Sequence, residues 1–149
     1  MRIVLIRPPA QHTVESEVPP AVETENLSYP PLSLLTLASF LQAHSAHEVH
    51  VLDAQGDGLS FEALGAKLEQ LQPEIVGVTA FTVSLVDVQK TISLARSMDS
   101  VQHVVLGGPH VNDFPEESRQ MEGVDAAVKG EGQRPVSYTH LTLPTICSV

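Results

Sequence analysis

An α/β fold, doubly wound around one parallel sheet, is what three features of this 149-residue sequence predict. Short apolar runs recur five times along the chain. Between them lie stretches whose apolar residues return every three or four positions, as helices with one buried face require. Most of the runs lack polar alternation, which marks strands covered on both sides. Strand and helix alternating in this way close into a parallel sheet through right-handed crossovers. The expected fold is therefore a flavodoxin-like five-stranded sheet of order 2-1-3-4-5, with its ligand site at the carboxyl ends of the strands.

The run IVLI (Ile3 to Ile6) is the first strand. Residues Pro8 to Tyr29 form a long, proline-rich and acidic connection, and loops of this length inside a compact domain are usually functional or disordered. A helix is expected over Pro31 to His44, with proline at its first turn, where no backbone donor is needed. Glu48 to Ala54 alternates into a second strand that stops at QGDG. Phe61, Leu64, Leu68 and Leu71 form one stripe of a helix over Ser60 to Gln72. Ile75 to Phe81 reads as the third strand. Ser84 with Asp87 resembles a capping box opening a helix with core face Leu85, Val88, Ile92 and Ala95. His103 to Gly108 is the fourth strand, a short helix is expected near Glu116 to Met121, and Val124 to Gly130 is the fifth strand.

The formal charge of −10 lies entirely before Pro135. An acidic surface of this size repels phosphate backbones and anionic membranes, so neither nucleic acid nor membrane is an expected partner. The longest apolar run, Leu32 to Leu41, is too short to span a bilayer, and the start of the chain lacks signal-peptide organisation. The single cysteine, Cys147, gives no disulfide framework, and a cytoplasmic protein is expected.

The strand ends carry the candidate site. The third offers the hydroxyls Thr79, Thr82 and Ser84; the fourth offers Gly107, Gly108, Pro109 and His110; the fifth offers Gly130, Glu131 and Gly132. Glycines there let bare backbone approach a bulky ligand. Each alone is explained as a turn or a cap, but together at three neighbouring strand ends they suit a large cofactor more than acid–base chemistry. The first strand end, RPPAQHT, is not a phosphate loop. A phosphoacceptor receiver would need paired acids there and an Asp after the third strand, and a flavodoxin would need a Ser/Thr-Gly loop; both are missing. His44, His47 and His50 fall on different elements, so convergence on a metal is not expected. No catalytic constellation is present.

MRIVLIRPP, YPPLSLLTLASFL, HEVHVLDAQGDGLS, IVGVTAFT, VVLGGPHVNDFPEE and VKGEGQ, in this order, resemble the N-terminal cobalamin-binding domain of B12-dependent radical SAM enzymes. The resemblance covers Met1 to about Arg134 and implies a flavodoxin-like domain that holds cobalamin, its nucleotide tail inserted at the strand ends. Thr79-Ala80-Phe81 stands where related domains have Ser-x-Leu, Gly107 and Gly108 where they have paired glycines, and Gly130-Glu131-Gly132 where they have a GEG loop. Some cobalamin domains carry Asp-x-His-x-x-Gly after the first strand. Here His12 lies in that loop, but Ala10 and Glu15 replace the Asp and Gly, so the resemblance implies base-off cobalamin without a protein histidine ligand. The 4Fe-4S cluster and SAM would belong to a radical SAM domain in cis. The competing expectation is a stand-alone ligand- or partner-binding domain that takes no cobalamin.

Residues Pro135 to Val149 contain no charged residue, and no cysteine precedes them to form Cys-x-x-x-Cys-x-x-Cys. VSYTHLTLPT can be encoded by GTC TCT TAT ACA CAT CTG ACG CTG CCG ACG, which resembles a transposase-based sequencing adapter. The expected organisation is therefore a domain over 1–134, lacking its last helix, followed by a non-native tail over 135–149. Such a fragment should bind but not turn over.

Overall fold

The computed structural model describes residues 1–13, 29–130 and 147–148, and their core is a parallel sheet with helices on both faces. Strand β1 (Arg2–Arg7) lies between β2 (Glu48–Asp53) and β3 (Ile75–Thr79), and β4 (His103–Gly107) and β5 (Ala126–Lys129) continue beyond β3. The order 2-1-3-4-5 is the expected one. Two residues of the terminal stretch, β6 (Cys147–Ser148), add a short parallel pairing at the β5 edge.

The helices are α1 (Leu32–His44), α2 (Phe61–Leu71), α3 (Leu85–Arg96), α4 (Pro109–Asp113) and α5 (Pro115–Gln120). Alternate residues of each strand feed two cores. On one face Val4, Ile6, Val76 and Leu106 meet Leu64 and Leu68 of α2 and Val88 and Ile92 of α3. On the other, Ile3, Leu5, Ile75 and Val105 meet Leu34, Ala38 and Leu41 of α1. Among the described residues α1 is the only helix contributing to this second core, and it carries no charged side chain. None of the described helices is long and apolar enough to cross a membrane.

The helix ends follow local chemistry. Ser60 caps α2 by accepting from the Ala63 N–H at 3.2 Å, and Gln72, in the left-handed region at φ 47°, closes it just before Pro73. The capping box expected at α3 does not form. Thr82–Ser84 is a 3-10 turn running into the helix, so Ser84 lacks the extended backbone of a cap and its hydroxyl donates to the Phe81 carbonyl at 3.2 Å. Asp87 is thereby free to face elsewhere. At the opposite edge of the sheet, Asp125 accepts from the Val104 N–H at 2.7 Å and pairs with Arg96, fixing the start of β4.

Candidate functional site

The ends of β3 and β4 are joined by two main-chain bonds around a glycine. The Ala80 N–H donates to the Gly107 carbonyl at 2.7 Å, and the His110 N–H donates to the Ala80 carbonyl at 3.1 Å. Gly108 is wedged between them at φ 103°, ψ −178°, a region essentially closed to other residues. A Cβ there would stand 2.7 Å from Thr79 Oγ1 and 2.8 Å from Ala80 backbone atoms. Gly108 is thus required by the chain's own packing. We expect Gly108→Ala to cost about 3 kcal/mol, from backbone strain and a clash with main chain. Thermal melting checks this, and a midpoint within about 2 °C of the original would refute it.

Gly107 is different. Its φ is not positive, and a Cβ built on it meets nothing within 4 Å. Neither conformation nor packing demands glycine at this position; the space in front of it is open. That space is a cavity of about 430 Å³ on the α1 face of the sheet. Its floor is Ile3, Leu5, Ile75 and Gly77, its wall is Ser33, Leu34, Thr36 and Leu37 of α1, and its lip is Thr79, Gly107, Gly108, Pro109, Asn112 and Gly130. Among the described residues no charged side chain lines it, in a chain whose formal charge is −10. The fifth strand end is tied to the lip by Asn112, whose side-chain oxygen accepts from the Gly130 N–H at 2.8 Å.

Around the mouth the surface is unusually apolar. Tyr29, Leu32 and Leu35 near the start of α1, Phe81, Val83 and Val86 at the start of α3, and Phe114 after α4 are all exposed. These are elements that leave the carboxyl edge of the sheet. Exposed apolar surface concentrated at one edge marks a binding face.

Of the expected site residues, Thr79, Gly107, Gly108, Pro109 and Gly130 line the cavity. Thr82 and His110 do not; they pair with each other, Thr82 Oγ1 lying 3.0 Å from His110 Nδ1. Ser84 is used locally, on the Phe81 carbonyl. Glu131 and Gly132 lie outside the described residues.

The loop after β1 is fastened by groups that the sequence did not single out together. Asp87 of α3, its side chain fully buried, accepts from the His12 backbone N–H at 2.8 Å and from His12 Nδ1 at 2.7 Å. A carboxylate only accepts, so Nδ1 carries the proton and Nε2 presents its lone pair, which faces Lys90 Nζ at 2.9 Å. The carboxylate missing at Ala10 is therefore supplied from another element. Its signal was present: Asp87 and Thr91 sit on the same helical stripe as Val88, Ile92 and Ala95, and an acid on a core stripe needs a partner. His44 and His50 bond locally, to the Phe40 carbonyl and to Glu48, and among the described residues no three His, Cys, Asp or Glu side chains group as a metal site.

Comparison with known proteins then decides the family. The model of the B12 binding domain matches residues 20–137. The chain belongs to the B12-binding domain family. An uncharacterized methyltransferase of Pyrococcus horikoshii is 34% identical to this B12-binding domain over 134 residues, which is 89% of the chain and 27% of that protein. The anaerobic magnesium-protoporphyrin IX monomethyl ester cyclase of Rubrivivax gelatinosus is 32% identical over 108 residues, covering 72% of the chain and 20% of the cyclase. Among solved structures, the radical S-adenosylmethionine methyltransferase TsrM from Kitasatospora setae, with cobalamin and an iron–sulfur cluster bound, superposes with a TM-score of 0.67 at 20% identity, covering 91% of the chain and 23% of TsrM. The cobalamin-dependent radical enzyme OxsB, with aqua-cobalamin bound, gives 0.64 at 16% identity, covering 93% of the chain and 18% of OxsB. At these identities the two structures share the fold. The B12-binding domain thus spans about a quarter or less of the proteins it matches.

Proposed function

We propose that this domain holds cobalamin at the carboxyl edge of the sheet, with the nucleotide tail in the cavity and the corrin against the apolar rim. The observation that carries the reading is Gly107, a glycine that no described residue requires and that opens onto a cavity with no charged side chain among its described lining. Gly77 on the floor is explained by packing instead, since a Cβ there would stand 2.8 Å from Leu5 Cδ2. Thr79, Gly107, Gly108, Pro109 and Gly130 would face the tail, and Thr82, Ser84, His110, Glu131 and Gly132 would belong to the wider cofactor site outside the cavity. Cobalt chemistry, when the cofactor is bound, is methyl or one-electron transfer; this chain contributes binding and orientation only.

The cofactor is held base-off and without a histidine from this chain. His12 is the one histidine in the first loop, and its free ring nitrogen is already occupied by Lys90. The parent protein is a cytoplasmic B12-dependent radical SAM enzyme, its cluster and SAM carried by a domain in cis; the greater length of the relatives and the cluster-bound TsrM structure support this reading. The test is to desalt the purified chain after incubation with aquacobalamin and record its visible spectrum. Retained corrin absorbance near one equivalent is expected; its absence would favour a stand-alone domain for another ligand.

The same reading treats residues 135–149 as adapter-derived. A long read of the source DNA across the Arg134 codon should continue in frame towards Cys-x-x-x-Cys-x-x-Cys. The same fifteen codons and a stop in intact genomic DNA would overturn that part.

A further inference from the structure

His110 is an odd residue to bury. It is 2% exposed, its Nε2 has no hydrogen-bond partner, and its ring packs against Phe114 at 5.1 Å between centroids. Its one side-chain bond is to Thr82, whose side chain stands at the surface. An imidazole with half its hydrogen-bonding capacity unmet is costly to bury, so the bond it does make needs a reason. That bond fixes the rotation of an exposed hydroxyl. A threonine hydroxyl has one donor and two acceptor positions, and His110 uses one of them.

The pair does not open into the cavity, since neither residue lines it. Thr82 lies instead at the surface, between exposed Phe81 and Val83. The pair includes no lysine or arginine, so it is poorly suited to a phosphate. A neutral group that both donates and accepts is its natural counterpart.

Resting on the corrinoid reading above, we infer that Thr82, held by His110, binds a carboxamide side chain on the periphery of the corrin ring and not the nucleotide tail. Thr82 touches the ligand; His110 is a positioning residue that acts through it. The inference separates the site into two parts, a cavity that reads the tail and a hydroxyl that reads the ring.

The probes are aquacobalamin and diaquacobinamide, which keeps the ring carboxamides and lacks the nucleotide. Their affinities for the full chain are measured by absorbance titration. Thr82→Val is expected to weaken both by the same factor, about five- to tenfold, the worth of one neutral hydrogen bond. Thr82 is at the surface, so this variant should fold, and melting confirms it. His110→Asn, which keeps a polar atom at the Nδ1 position, should stay within about threefold of the original for both probes, while His110→Leu should match Thr82→Val. Loss confined to aquacobalamin would assign the pair to the tail and overturn the inference, as would unchanged binding of both probes by Thr82→Val. An unaltered chain that binds neither probe would overturn the corrinoid reading itself, and this inference with it.

Discussion

Gly107→Val should melt at the temperature of the unaltered domain and lose most of its affinity for aquacobalamin. The two halves of this expectation come from one measurement of space. A Cβ at residue 107 meets no described atom within 4 Å, so the first carbon of an added side chain enters open space. Residue 107 ends β4 with ordinary backbone, where a β-branched residue is at home. The added methyl groups project into the cavity that the nucleotide tail would fill. Overpacking a filled site costs about 1–3 kcal/mol, which corresponds to a loss of roughly ten- to a hundredfold in affinity. Unchanged binding would place the tail elsewhere. A large fall in melting temperature would mean that Gly107, like Gly108, serves the chain alone.

Asp87→Ala should destabilise the domain by about 3 kcal/mol, although Asp87 lies on α3 and does not line the cavity. The buried carboxylate receives the His12 N–H and ring N–H together, and hydrogen bonds to a charged group are each worth about 1.5–3 kcal/mol. Thr91 closes the arrangement from below, its hydroxyl donating to the Asp87 carbonyl at 2.8 Å. Equilibrium urea denaturation reads the change. A shift in midpoint corresponding to less than about 1 kcal/mol would show that the loop after β1 is held by something other than this carboxylate.

Most of the fold was legible in the sequence because the strands are buried on both faces. Ile3 to Ile6 could be nothing else in a chain of this polarity, and the fully buried stripes of α2 and α3 announced their period. What was less legible were the residues whose role is fixed by a partner far away in the chain. Asp87 reads locally as a helix cap; only the fold brings His12 to it across 75 residues. The cavity wall was equally hidden. Leu34 and Leu37 look like ordinary core of α1, yet they face open volume because of where β3 and β4 end. The short helix α4 was not anticipated either, since five residues are too few to show a period. The glycines pointed to the candidate site, yet the sequence could not say which glycine was needed for what.

That distinction between Gly107 and Gly108 has a consequence for the history of such domains. Selection holds residue 108 through the stability of the fold, whatever the protein does. It holds residue 107 only while something occupies the cavity. A lineage that stopped using the ligand would be free to fill residue 107 with any side chain suited to a strand end, and would still keep glycine at 108. The two neighbours therefore record different things. On the proposed reading, across descendants of this domain the first would report whether the cofactor is still in use, and the second only that the domain still folds.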